Sequence, residues 1–158
     1  MEEKVFFISK LKLQELEKEY KELLDLERKK ITGEEAPKIF ESEDLNPEFV
    51  SFQEDVSFLR SRIDEIKNVL DHYELIKKPE KEKAQFINVG AKVKVDMSGQ
   101  KDEFTIVGTL EANPILGKIS NESPVGKALL GHKVGDEIIV NLPTKTVYKI
   151  KNIKYEIG

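Results

Sequence analysis

The sequence predicts an α+β protein, an N-terminal antiparallel coiled-coil helical hairpin followed by a small antiparallel sheet domain with one short helix. Three observations predict it. Large apolar residues at Phe49, Phe52, Val56, Leu59, Ile63, Ile66, Leu70 and Tyr73 recur at alternating intervals of 3 and 4. That is a heptad seam, which stays on one side of a slightly underwound helix. A shorter stripe of the same period, Leu13, Leu16, Tyr20 and Leu23, lies upstream. Past residue 84 the apolar spacing changes to the alternation of strands.

Each element has its own warrant. The first helix is expected from about Lys10 to Thr32, with Leu24 and Ile31 extending its stripe and Ser9 as N-cap. Gly33 and Pro37 disfavour a helix interior and end it. The second helix opens at Asn46-Pro47-Glu48-Phe49. Asn is a strong cap, and Pro suits the first helical position because its missing N–H would be unpaired there anyway. Glu48 falls in the first turn, next to the positive end of the helix dipole. A stripe this narrow needs one partner helix. Because the second helix is entered almost directly from the first, an intramolecular hairpin is expected over a parallel homodimeric coiled coil, and the chain is expected to be a monomer.

The charged, proline-containing stretch 77–83 reads as a linker between a hairpin domain, 1–76, and a sheet domain, 84–158. In the second, strands are expected at 86–89 and 91–95, with a turn at 98–102 and a returning strand at 104–107. Ser123 as N-cap, Pro124 as first helical residue and Gly131 as terminator specify a two-turn helix. Gly135-Asp136 is a turn, 137–142 a strand, 143–145 a second turn and 147–157 the last strand.

Charge is divided unevenly. Residues 1–76 carry 12 Lys/Arg against 20 Asp/Glu, a net of −8, and residues 77–158 carry 14 against 10, a net of +4. Such asymmetry points to partner binding rather than to fold. No apolar run reaches the roughly 18 residues of a membrane span, and the acidic start lacks the basic region of a secretory signal. With no cysteine there is no disulfide framework or thiolate metal site, so a cytoplasmic protein is expected. His72 and His132 lack any ligand spacing.

Acidity gathers at the hairpin's expected tip, about 33–48. Glu34, Glu35, Glu41, Glu43, Asp44 and Glu48 face only Lys38 there. Grouped carboxylates repel one another and can bind a hard divalent cation through oxygen.

A coiled-coil hairpin, a linker and a sheet domain containing S-x-x-S-P-x-G-x-A-L-L-G-x-x-x-G-D, here residues 120–136, resemble the bacterial transcript cleavage factors GreA and GreB. The resemblance implies an FKBP-like C-terminal domain that docks on the rim of the RNA polymerase secondary channel. It assigns that contact to Ser120, Ser123, Pro124, Gly126, Lys127, Gly131 and Asp136. The hairpin would reach down the channel toward the active site and the RNA 3′ end. There Asp44 and Glu48, with Glu41 and Glu43 as substitutes, would help hold a Mg²⁺ shared with the polymerase, in two-metal hydrolysis of backtracked RNA. The protein would have no cofactor and no enzymatic activity of its own, supplying catalytic carboxylates in trans.

The tip departs from the family pattern G-D-L-x-E-N-x-E-Y. Here it reads Glu43-Asp44-Leu45-Asn46-Pro47-Glu48-Phe49, without the x-E pair and so without the second of the two acids most tied to cleavage. A cleavage-deficient relative that occupies the channel and inhibits or modulates the polymerase is the alternative reading. Two others come from different classes. A peptidyl-prolyl isomerase or chaperone would need an aromatic-lined pocket, and a structural coiled-coil adaptor would have no polymerase partner.

Overall fold

A computed structural model describes residues 4–33, 47–141 and 144–157 of the chain. They form two compact units. One is Leu11–His72, and the other joins Met1–Lys10 to Tyr73–Gly158. The chain leaves the second unit once, through the hairpin, and returns to it.

The hairpin unit consists of α1 (Lys10–Thr32) and α2 (Pro47–Asp71). At roughly 1.5 Å per residue, α2 spans about 37 Å. Cross-helix ion pairs fix the antiparallel register within one chain: Arg62 to Glu19 at 2.8 Å, Arg60 to Glu27 at 3.2 Å and Lys30 to Asp55 at 3.1 Å. On α2 the buried residues are Val56, Leu59, Ile63, Ile66 and Val69. The expected seam is thus corrected at its end. Val69 takes the place given to Leu70, and Tyr73 lies beyond the helix in a strand. Two consecutive steps of 3, from Ile63 to Ile66 to Val69, carry the buried stripe off the strict heptad in the last turns of α2.

On α1 the correction is larger. Leu16 is its buried residue, and Leu24 and Ile31 are 39% and 43% exposed. The heptad frame of Leu13, Leu16, Tyr20 and Leu23 continues instead at Glu27 and Lys30, both half-buried and both ion-paired across to α2. Toward the turn the seam changes from apolar to charged.

The other unit holds two sheets. In the smaller, β1 (Phe6–Ile8) and β2 (Tyr73–Leu75) pair in parallel, joining the strands on either side of the hairpin. Neither strand was expected. The larger sheet contains β3 (Lys92–Met97), β4 (Gln100–Val107), β5 (Lys118–Ser120), β6 (Glu137–Asn141) and β7 (Lys145–Lys154), in the order β5-β4-β3-β7-β6. Three of its pairings are antiparallel; β4 with β5 is parallel, which the expected all-antiparallel sheet did not include. One face is buried, with Val93, Val95, Ile106, Ile138 and Ile150 packed with Leu129 of α3 (Pro124–Leu129). Phe104 and Tyr148 meet edge to face beside this core, ring centroids 6.2 Å apart.

Several expected boundaries shift. The β3–β4 turn shrinks to Ser98-Gly99, both with positive φ (53° and 94°). That is the left-handed pair that a two-residue hairpin needs. Residues 86–89 are not a strand; Phe86 makes an isolated bridge to Lys133. The domain limits 1–76, 77–83 and 84–158 give way to the two compact units. Residues 77–83 belong to the sheet unit, where Lys83 and Ala84 N–H groups donate to the Glu80 carbonyl at 2.9 and 2.8 Å. Among the described residues, no helix is long and apolar enough to cross a membrane.

Candidate functional site

Residues 120–136 form an interlocked turn, helix and loop running from β5 into β6. The carbonyl of Ser120 accepts from the Ser123 N–H at 3.0 Å and from its hydroxyl at 2.6 Å. The Ser123 oxygen in turn accepts from the Gly126 N–H at 3.1 Å, the N-cap bond that its position predicts. The Ser120 hydroxyl accepts from the Glu122 N–H at 3.0 Å. Gly126 is forced by space, since a Cβ there would lie 2.1 Å from the Ser120 carbonyl oxygen. Only a residue without one lets α3 sit this close to the end of β5.

The far end is fastened as firmly. Gly131 takes a left-handed φ of 85°, and its N–H donates to the Ile87 carbonyl at 2.8 Å. The Asp136 carboxylate accepts from the Lys133 N–H at 3.1 Å and lies 3.1 Å from His132 Nδ1. The Lys133 backbone N–H, followed by His132, holds the Asp136 carboxyl below the usual range. Five of the seven expected contact residues, Ser120, Ser123, Gly126, Gly131 and Asp136, therefore shape the turn. Pro124, Lys127 and Gly131 reach solvent, and only Lys127 of these three presents a charge.

At the other candidate site, the structure places Glu48 in the first turn of α2, exposed. Asp44, Glu41 and Glu43 lie outside the described residues, as do Glu34, Glu35 and Lys38. The expected convergence of Asp44 and Glu48 on one cation falls there too. Among the described residues, no cluster of three His, Asp or Glu side chains can hold a metal. The donor chemistry still fits Mg²⁺, because carboxylate oxygens are its preferred protein ligands and it keeps its remaining positions for water or phosphate. Glu48 stands at a helix end fixed by Pro47, so its backbone is held even though its side chain faces solvent. Next to it a groove of about 550 Å³ is lined by Ile31, Phe49, Phe52, Val56 and Arg60.

The histidines bind no common group. His72 follows α2 and its Nδ1 lies 2.9 Å from the Asn68 carbonyl; His132 pairs with Asp136.

Sequence reasoning missed the clasp around β1. Glu111 accepts from the Ser9 N–H at 2.9 Å and from the Ser9 hydroxyl at 2.5 Å. Beside it, a Cβ on Gly108 would fall 1.7 Å from the Phe7 carbonyl oxygen. The signal was present as a glycine directly after a strand, but nothing local says which backbone approaches it. Ile8, fully buried, sits in a stretch ahead of the first helix too short to show a period.

Comparison with known proteins covers both units. A family profile described as Transcription elongation factor, GreA/GreB, C-term, matches residues 81–155. The Transcription elongation factor GreA of Clostridium acetobutylicum is 42% identical over 158 residues, covering 97% of this chain and 99% of that protein. That of Acetivibrio thermocellus is 35% identical over 147 residues, covering 90% and 91%. Among solved structures, GreA factor homolog 1 of Thermus thermophilus is 24% identical and covers 97% of this chain and 99% of that one, with a TM-score of 0.42.

Proposed function

The chain belongs to the GreA/GreB family of transcription elongation factors, and from that membership we propose that it acts on RNA polymerase. In this reading the turn at residues 120–136 docks on the rim of the secondary channel. The hairpin enters the channel, and its tip carboxylates stimulate cleavage of backtracked RNA. The observation that carries the reading is the sequence agreement with a GreA factor over 97% of the chain, in a protein whose helical hairpin is inserted in a sheet unit that carries the S-x-x-S-P-x-G turn.

The mechanism follows from what each part can do. The interlocked turn is stiff, because Ser123 and Gly126 are bonded or packed against Ser120. It therefore presents Pro124 and Lys127 with little ordering cost on binding. In the hairpin, α2 begins one residue before Glu48, which sets the height of that carboxylate along the arm. Asp44 and Glu48 would supply oxygen ligands for a Mg²⁺ held mainly by the polymerase. Bound there, the ion supplies charge stabilisation at the scissile phosphate and an activated water. The carboxylates orient that site and do no chemistry alone, so the protein is an elongation factor with no turnover of its own.

A second reading has one observation in its favour, the missing x-E pair between Asp44-Leu45 and Asn46. Lacking the second acid, the tip would occupy the channel and suppress cleavage. Docking is common to both readings and is tested first. The full chain is expected to be retained by core polymerase at modest salt, and Lys127→Glu to weaken retention about tenfold, roughly 1.4 kcal/mol, with an unchanged melting temperature. Absence of retention by the wild type would sink both readings.

A further inference from the structure

Single residues join the hairpin to the strands that flank it. Ser9 alone separates β1 from α1, and His72 alone separates α2 from β2. Both carboxylate oxygens of Glu111 close on Ser9. Oε2 accepts from the Ser9 N–H at 2.9 Å, and Oε1 from its hydroxyl at 2.5 Å. Glu111 ends a 3-10 turn, Thr109–Glu111, capped by Gly108, where a Cβ would fall 1.7 Å from the Phe7 carbonyl oxygen. β1 and this turn therefore meet backbone to backbone, with no side chain between them. Behind Ser9, Ile8 is fully buried, and its carbonyl accepts the Ile76 N–H at 2.9 Å, which extends the pairing with β2. Ahead of β1, Lys4 lies 3.5 Å from Glu122 of the 120–136 turn. An exposed pair adds little energy, but its place matters. Residues 4–9 run from the turn that docks in the proposed function to the residue where the arm begins. All of these contacts lie within the sheet unit.

We propose that Glu111 is a positioning residue for transcript cleavage, fastening the base of the arm through Ser9 so that the tip acids arrive where the docked turn requires them. This role rests on the function proposed above. Glu111 belongs to neither the tip nor the 120–136 turn, so its part is played through Ser9. Capping α1 would need no more than the Ser9 side chain. A half-buried carboxylate from 102 residues further along does something more, tying the start of α1 to the body of the sheet unit. The carboxylate suits the task. Both of its bonds are charge-assisted, which makes them roughly twice as strong as neutral ones, and it stands at the positive end of the α1 dipole. Length turns this hold into geometry. A tilt of about 10° at the base of an arm about 37 Å long moves its far end by about 6 Å. Misplacing a reacting group by only about 1 Å costs up to about 100-fold in rate.

The test titrates the full chain onto a stalled, backtracked polymerase complex with Mg²⁺ and separates the half-saturating concentration from the maximal cleavage rate. For Glu111→Ala the maximal rate is expected to fall about tenfold or more, with the half-saturating concentration within about twofold of the wild type. Ser9→Thr keeps both the hydroxyl and the N–H and is expected to match the wild type. Ser9→Ala keeps only the N–H bond and is expected to fall between. The double variant S9A/E111A is expected to be no slower than E111A, because both changes remove the same contact. Amide exchange without polymerase gives a second reading. Residues 14–17 of α1 are expected to exchange about tenfold faster in E111A, and β3 at the wild-type rate. An E111A maximal rate equal to that of an active wild type, losses that multiply in the double variant, or unchanged exchange at residues 14–17 would each overturn the positioning role. So would a raised half-saturating concentration at full maximal rate, which would move Glu111 into docking, or exchange raised equally in β3, which would make it a general support of the sheet unit. A wild type without any stimulation would instead sink the function proposed above, and the positioning role with it.

Discussion

Asp136 shows how one residue can be read at two levels. In sequence it closes the motif G-x-x-x-G-D, and in the structure its carboxylate accepts the Lys133 N–H and pairs with His132, holding the loop between α3 and β6. Both partners favour the charged form, so the folded-state carboxyl titrates below its ordinary value of 3.8. A depressed pKa stabilises the fold at every pH above the unfolded value, and that contribution is lost as pH falls through the folded one. Asp136→Asn is therefore expected to lower the melting temperature at pH values well above the ordinary carboxyl range, and the gap to the wild type should narrow below about pH 4. A gap that persists unchanged at about pH 3, below the ordinary carboxyl value, would mean that the carboxylate charge is not what holds the loop. The same scale explains the rest of the motif. Ser123 was legible as a cap from sequence because capping is local. The need for Gly126 was not, because the atom that forbids a side chain there, the Ser120 carbonyl oxygen, lies across a turn whose closure only the structure reveals.

Among elements, the hairpin was legible and its limits were not. The α2 seam declared itself because one face of a long helix meets one partner, which leaves a clean period. On α1 the frame continues into Glu27 and Lys30, and no hydrophobic pattern can follow a seam that turns charged. The consequence is a hairpin whose apolar packing centres on the half nearest β1 and β2 along the chain, with ion pairs taking over toward the tip. Exposed pairs of this sort contribute about 0–1 kcal/mol each, so most of the hairpin's stability should reside in Leu16, Leu59, Ile63 and Ile66. Ile63→Ala is expected to cost about 2–4 kcal/mol in urea unfolding of the hairpin, through lost burial and the cavity left behind. Ile63→Asp should abolish the helical signal of the hairpin while near-ultraviolet signals of the sheet unit persist. A loss under about 1 kcal/mol for Ile63→Ala would contradict a packed seam. β1, β2 and β5 escaped notice for a related reason: strands of three residues carry no usable alternation, and parallel pairing is a long-range event.

At the scale of the whole molecule, the chain is built by insertion. The strands flanking the hairpin pair with each other, and Gly90 packs directly against Ile76 and Ile157. A fragment beginning at residue 84 would lose β1, β2 and the buried Ile8, and would keep the whole buried core of the larger sheet, from Ile87 to Ile150. This architecture assigns separate duties. In the proposed function the stiff turn at 120–136 docks, the hairpin sets reach, and the acids around Asp44 and Glu48 act at its tip. The central claim, that those acids work on the polymerase's RNA, is tested most directly on a stalled, backtracked polymerase complex with Mg²⁺. The purified protein is added and the RNA is followed on a gel. The account predicts faster shortening of the RNA from its 3′ end with the wild type, and loss of that stimulation with Asp44→Ala and with Glu48→Ala, both still retained by the polymerase. Stimulation that survives both substitutions, or a wild type that slows cleavage and competes with an active cleavage factor, would contradict it.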